Sequence, residues 1–165
     1  MKNIKTLTIL ILALLFTGTC YAQNKIPVLN KEIVKYVKTV KGKKVDRGEC
    51  WDLAYQALTR VEADWDMAYV YGNLIDPSKD EIFPGDLIQF ENVKTQYTKG
   101  NTTYTSIMSH HTAIVYKVLE KGVYEIAHQN TEFSGRKVGV NVLNLNHIIQ
   151  GDIYFYRPTK NRMNE

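Results

Sequence analysis

The chain has 165 residues, of which 44% are hydrophobic and 23% charged, with two cysteines and a formal net charge of +4. That length suits one ordinary domain with a core of its own, and no disulfide framework is needed to hold it. So slight a positive balance excludes nucleic acid as the main partner, because such binders concentrate a strong basic patch.

In chain order, Lys2 and Lys5 precede an apolar run from Leu7 to Phe16, followed by small and polar residues ending at Cys20-Tyr21-Ala22. The run is shorter than the ~20 residues of a membrane span, so residues 1–22 read as a cleaved signal peptide. Lipidation of Cys20 is the rival, but Thr17-Gly18-Thr19 lacks the leucine expected before such a cysteine. The expected product is secreted, periplasmic or extracellular, without stable membrane insertion after cleavage, and residues 23–165 form a single domain. Losing Lys2 and Lys5 lowers the charge from +4 to +2. Cys20 leaves too, so Cys50 is the lone thiol in an oxidising compartment. Such a thiol is buried and inert, paired between chains, or kept for its reactivity; the oligomeric state is left open.

Asn30 as N-cap, with Ile33, Val34, Val37 and Val40 at helical spacing, predicts a first helix that Gly42 ends. Lysines from Lys35 to Lys44 read as the solvated face of this helix and its exit loop, with contact to an anionic polymer as the alternative. A second helix is predicted from Cys50 to Val61, with Leu53, Ala54, Ala57, Leu58 and Val61 as one apolar stripe. Pro84-Gly85 signals a turn into a strand over 86–90. Residues 92–109, polar and rich in Thr and Tyr, predict a protruding loop or hairpin. His111 to Val118 is apolar on both faces and reads as an inner strand. Three more strands are expected over 123–130, 137–143 and 152–157. The fold class is α+β, with N-terminal helices packed on an antiparallel β-sheet of about five strands.

Cys50 falls at a helix N-terminus, where free N–H groups and the dipole lower a thiol pKa and can cradle an oxyanion. Glu49 and Asp52 oppose that unless they point away. Gly48 leaves room for a substrate backbone. The thiol needs a base, and His111, opening the inner strand, is the candidate; His110 should point to the opposite face. Along Tyr124 to Asn130, His128 and Asn130 share one face roughly 7 Å apart, and either can orient His111.

The segments "GECW", "PGDLIQF", "HTAIV" and "HQN", in that order, resemble the CHAP family of cysteine amidases and peptidases and the NlpC-like cell-wall peptidases. In those papain-like families a cysteine starts a helix, a Pro-Gly-Asp turn leads into the first strand, and a histidine opens the next. Here these are Cys50, Pro84-Gly85-Asp86 and His111. Asn130 matches the CHAP asparagine, and His128 stands at the CHAP glutamate position, where the NlpC-like pattern often has a histidine. Gly48-Glu49-Cys50-Trp51 is also similar to the segment around the papain nucleophile. The resemblance covers most of residues 45–157. It implies a papain-like compact core, with catalytic Cys50, His111, His128 and Asn130, and with Gly48, Glu49 and Trp51 in substrate binding. The implied partner is peptidoglycan or a peptide-like substrate, cut at a stem peptide or at the muramoyl–alanine amide.

Two rival readings remain. A catalytically inactive domain would bind wall glycan or peptide, stacking sugar on Tyr97, Tyr104, Trp51 or Trp65. A metal site of His110, His111 and His128 is disfavoured because adjacent strand residues point apart and no HExxH pair exists. No metal and no cofactor is assigned.

Overall fold

A computed structural model describes residues 26–161. The expected signal peptide, residues 1–22, lies outside them. Two helices, α1 (Val28–Val40) and α2 (Cys50–Arg60), precede six strands: β1 (Asn73–Ile75), β2 (Leu87–Lys99), β3 (Thr102–Glu120), β4 (Val123–His128), β5 (Gly139–Asn144) and β6 (Ile148–Arg157). The strands form one antiparallel sheet in the order β1-β6-β2-β3-β4-β5. Among the described residues no helix is long and apolar enough to cross a membrane.

The balance of helix and sheet corrects the expectation. The helices span 13 and 11 residues, whereas β2 and β3 alone span 13 and 19. The sheet dominates the molecule, with six strands rather than about five. Much of the excess is the 92–109 region, where β2 and β3 pair in one register down to Lys99 and Thr102, missing only the Asn92–Ser109 pair. Cross-strand contacts hold this ribbon: the Tyr97 and Tyr104 rings stack at 5.0 Å, and the Thr98 and Thr103 hydroxyls meet at 3.2 Å. β-branched and aromatic pairs of this kind are the unit of sheet stabilisation. The three residues of β1 are too few to show a periodicity.

Strand alternation sorts the core into two layers. Leu87, Ile114, Ala127 and Tyr156 meet Ile33, Val37, Leu53, Ala54, Ala57 and Leu58 of the helices. Ile88, Phe90, Ala113, Val115, Tyr124, Ile126 and Phe155 pack on the other face.

Asn30 is not the N-cap of α1. It lies inside the helix, fully buried, and its Nδ2 donates to Pro84 O at 3.1 Å and Asp86 Oδ1 at 2.8 Å. The buried Asp86 carboxylate also accepts from Phe83 N at 2.8 Å, and from Arg157 at Nε (3.2 Å) and Nη2 (2.9 Å). One side chain thereby ties α1, the start of β2 and the end of β6. Burial raises the Asp86 pKa, with Arg157 as the main opposing influence. Gly85 is required at the turn: its φ is +92°, and an added Cβ would lie 2.4 Å from Asn30 O.

Candidate active site

The start of α2 is fixed from several directions. Asp52, fully buried, accepts from Glu49 N at 3.0 Å and from Arg47 Nη2 at 2.5 Å. The first bond is half of a capping box, and the second pairs the Asp52 carboxylate with a cation. The Glu49 carboxylate meets Arg136 Nη1 at 3.0 Å and accepts from Asn130 Nδ2 at 2.7 Å. Gln129, just beyond β4, donates to the carbonyls of Val45 (3.0 Å) and Glu49 (2.7 Å) and accepts from Val45 N at 3.2 Å. These bonds hold the residue before Cys50 against the end of β4.

Cys50 is the first residue of α2 and half-buried. Burial pushes its thiol pKa up; backbone N–H groups of Thr112 and Trp51 and the Thr112 hydroxyl pull it down, and Glu49 pushes it up further. This corrects the expectation of a thiol acidified by the helix terminus. Desolvation of the thiolate outweighs the donors aimed at the sulfur. Thr112 directly follows His111 on β3, so the strand that carries the candidate base also supplies an N–H to the sulfur.

Behind Thr112 lies a buried polar cluster. Its Oγ1 donates to Gln89 Oε1 at 2.8 Å, and Tyr71 OH lies 2.8 Å from Thr112 Oγ1 and 3.1 Å from Gln89 Oε1. Burial raises the Tyr71 pKa, so the phenol keeps its proton.

His111 points to the other face of β3. It is 8% exposed, and its Nε2 lies 2.8 Å from Nδ1 of His128, itself 4% exposed. The rings meet edge to face, with centroids 5.0 Å apart. Burial lowers His111 to about 4, helped by the charge of His110. Burial lowers His128 to about 3, with His111 adding to the shift and the Asn141 side chain opposing it. Both imidazoles are neutral at pH 7, and so is the thiol.

The structure brings Cys50, His111, His128 and Asn130 together as lining of one cleft of about 460 Å³. Of the two candidates to orient His111, His128 holds its ring nitrogen, while Asn130 gives its amide to Glu49. Gly48, Glu49 and Trp51 are not among the residues lining this cleft. Gly48 has φ +92°, and a Cβ there would meet Arg136 Cβ at 2.7 Å, so packing on Arg136 demands the glycine. Glu49 is held by Arg136 and Asn130, as described. Trp51 donates to Ala68 O at 2.7 Å and stacks on Tyr55 at 4.9 Å, which places it in the scaffold. His110 goes to Glu91 Oε2 at 2.9 Å rather than to either ring of the His111–His128 pair, although it lines the same cleft. Among the described residues no group of three or more His, Cys, Asp or Glu side chains is arranged to hold a metal ion.

A sequence model of the family described as "AIM3/BBC1 Cysteine proteinase-fold domain" matches residues 28–165. The chain belongs to this family. Membership of the AIM3/BBC1 cysteine proteinase-fold family establishes the papain-like fold, which is coarser than the CHAP or NlpC-like assignment. A comparison with curated proteins gave no match. One solved structure, "The crystal structure of Ly7917", is similar at 15% identity and a TM-score of 0.49; the likeness covers 77% of this chain and 62% of that one.

Sequence reasoning missed Thr112, Gln129 and Asn141 in this cysteine proteinase-fold domain. Alternation could have found the first two. Each neighbours a site histidine and must face the opposite way, which for Gln129 is toward the start of α2. Asn141 gave no such signal, because the β4–β5 register that aligns it with the site is not written in either strand alone.

Proposed function

We propose that the protein is a secreted cysteine hydrolase that cleaves an amide bond in peptidoglycan, either a stem-peptide bond or the muramoyl–alanine amide. The observation that carries this reading is the 2.8 Å contact between His111 Nε2 and His128 Nδ1 in a cleft shared with Cys50. A histidine whose Nε2–H donates in this contact keeps its Nδ1 lone pair for a thiol proton. Thiol and imidazole start neutral, so His111 takes the proton as the sulfur attacks the carbonyl carbon. The C–N bond then breaks, and the leaving amine receives that proton. Water, deprotonated by His111, hydrolyses the resulting thioester and restores the thiol. The Cys50 backbone N–H faces the developing oxyanion. The short apolar N-terminal run supports export, and the resemblance to CHAP and NlpC-like enzymes supports a wall substrate.

The test is digestion of purified sacculi, with mass spectrometry of the released fragments. New amino termini within stem peptides identify an endopeptidase, and peptides freed from muramic acid identify an amidase. Release must vanish in Cys50→Ala and in His111→Ala. No release beyond that of Cys50→Ala overturns the reading.

A second reading, an inactive domain that binds wall glycan or peptide, draws on the raised thiol and the depressed imidazole. Its sugar-stacking surface is reduced, because Tyr97 already lies against Tyr104 at 5.0 Å and His147 at 5.1 Å, both nearly parallel to it. Sacculus co-sedimentation that survives in Cys50→Ala, without turnover by the wild type, selects this reading.

A further inference from the structure

The His111–His128 contact admits one proton, and its placement decides whether His111 can act as a base. If His128 Nδ1–H donates, His111 carries its own proton at Nδ1 and has no lone pair for the thiol. If His111 Nε2–H donates, its Nδ1 lone pair is free, and neutral His128 must carry its proton at Nε2. That second nitrogen is buried, and no acceptor among the described residues stands at full hydrogen-bond geometry to it, although the Asn141 side chain already acts on the ring. A buried N–H without an acceptor is costly, so the arrangement needs a group to hold it.

The β4–β5 register supplies one. Asn141 pairs across from Ile126, and Gly139 from His128. Ile126 and His128 share a face, so Asn141 sits on that face, diagonal to His128 and within reach of a long side chain. Asn141 lines the same cleft as both histidines, and the Phe133 ring packs on His128 at 5.4 Å, screening it from water.

We propose that Asn141 is a positioning residue whose side-chain oxygen accepts the His128 Nε2 proton, fixing the tautomer that leaves His111 Nδ1 free for Cys50. The favourable effect of Asn141 on protonated His128 has the sign this contact requires. The inference rests on the hydrolase reading for its purpose, but not for its test.

The test is ¹⁵N NMR of the full protein labelled at histidine nitrogens, at pH 7 and without substrate, with assignments from His111→Gln. In wild type both His111 and His128 should carry their proton at Nε2. In Asn141→Leu the His128 proton should shift to Nδ1, and the His111 proton with it. Asn141→Asp, which keeps an acceptor, should retain the wild-type tautomers. A wild-type His128 protonated at Nδ1, or unchanged tautomers in Asn141→Leu, would overturn the proposal. The wild-type spectrum alone can do so if the leucine variant fails to fold. Correct tautomers with no hydrolysis of sacculi would sink the hydrolase reading and leave the Asn141 assignment standing.

Discussion

Acidification should destabilise this protein through His111 and His128, and the size of the effect follows from their burial. Both imidazoles are held neutral, with pKa values lowered to about 4 and about 3. In the unfolded chain each titrates near 6.5. Between pH 6.5 and 5 the unfolded state therefore binds a proton at each site that the folded state refuses. Stability falls as pH falls, by about 1.4 kcal/mol per unit for each such histidine. Over that window, with the unfolded sites only half protonated at its upper end, the pair accounts for about 3 kcal/mol, a large share of a normal domain's stability. Urea unfolding followed by tryptophan fluorescence reads it, since Trp51 and Trp65 sit in the aromatic cluster beside α2. His111→Gln, which can still donate to His128 Nδ1, should lower the slope of stability against pH by about one proton. Equal slopes in wild type and His111→Gln between pH 6.5 and 5 would refute the reasoning.

Three further outcomes follow from the same geometry. Iodoacetamide should alkylate Cys50 very slowly at pH 5.5, with a rate that climbs only above the ordinary thiol range; intact-mass time courses check this, and fast labelling at pH 5.5 would mean a preformed thiolate. Arg157→Met leaves the buried Asp86 carboxylate without its cation and should cost about 3–5 kcal/mol in urea unfolding; a loss under 1 kcal/mol would show that Asn30 and Phe83 N suffice. Gln129→Leu removes three hydrogen bonds at the start of α2 and should cost about 2–4 kcal/mol, and Cys50 alkylation at pH 9 should speed up as the helix start loosens.

Much of the site was legible because it lies on elements with strong local signals. The apolar stripe from Leu53 to Val61 placed Cys50 at a helix start, and the run after His111 made β3 an inner strand. What failed depended on long-range pairing. Asn30 has the chemistry of an N-cap, yet Asp86, distant in sequence, recruits it into the core. Over residues 92–109 the expectation left loop and hairpin open, and Thr and Tyr pairs across two strands decide for the hairpin. Trp51 and Gly48 adjoin the cysteine in sequence while serving Ala68 and Arg136 in space. The thiol pKa was misread for a similar reason: a helix terminus is visible in a sequence, and the desolvation that overrides it is not.

Because Thr112 follows His111, the candidate base and the N–H aimed at the sulfur are joined by a single peptide bond. Covalent geometry fixes the backbone between them, and the contact with His128 sets the His111 ring on it. The position of the sulfur against that strand then depends on how the α2 start is seated against the end of β4. That places the mechanical control of Cys50 in Gln129 and the Glu49–Arg136 pair, residues that need never touch a substrate.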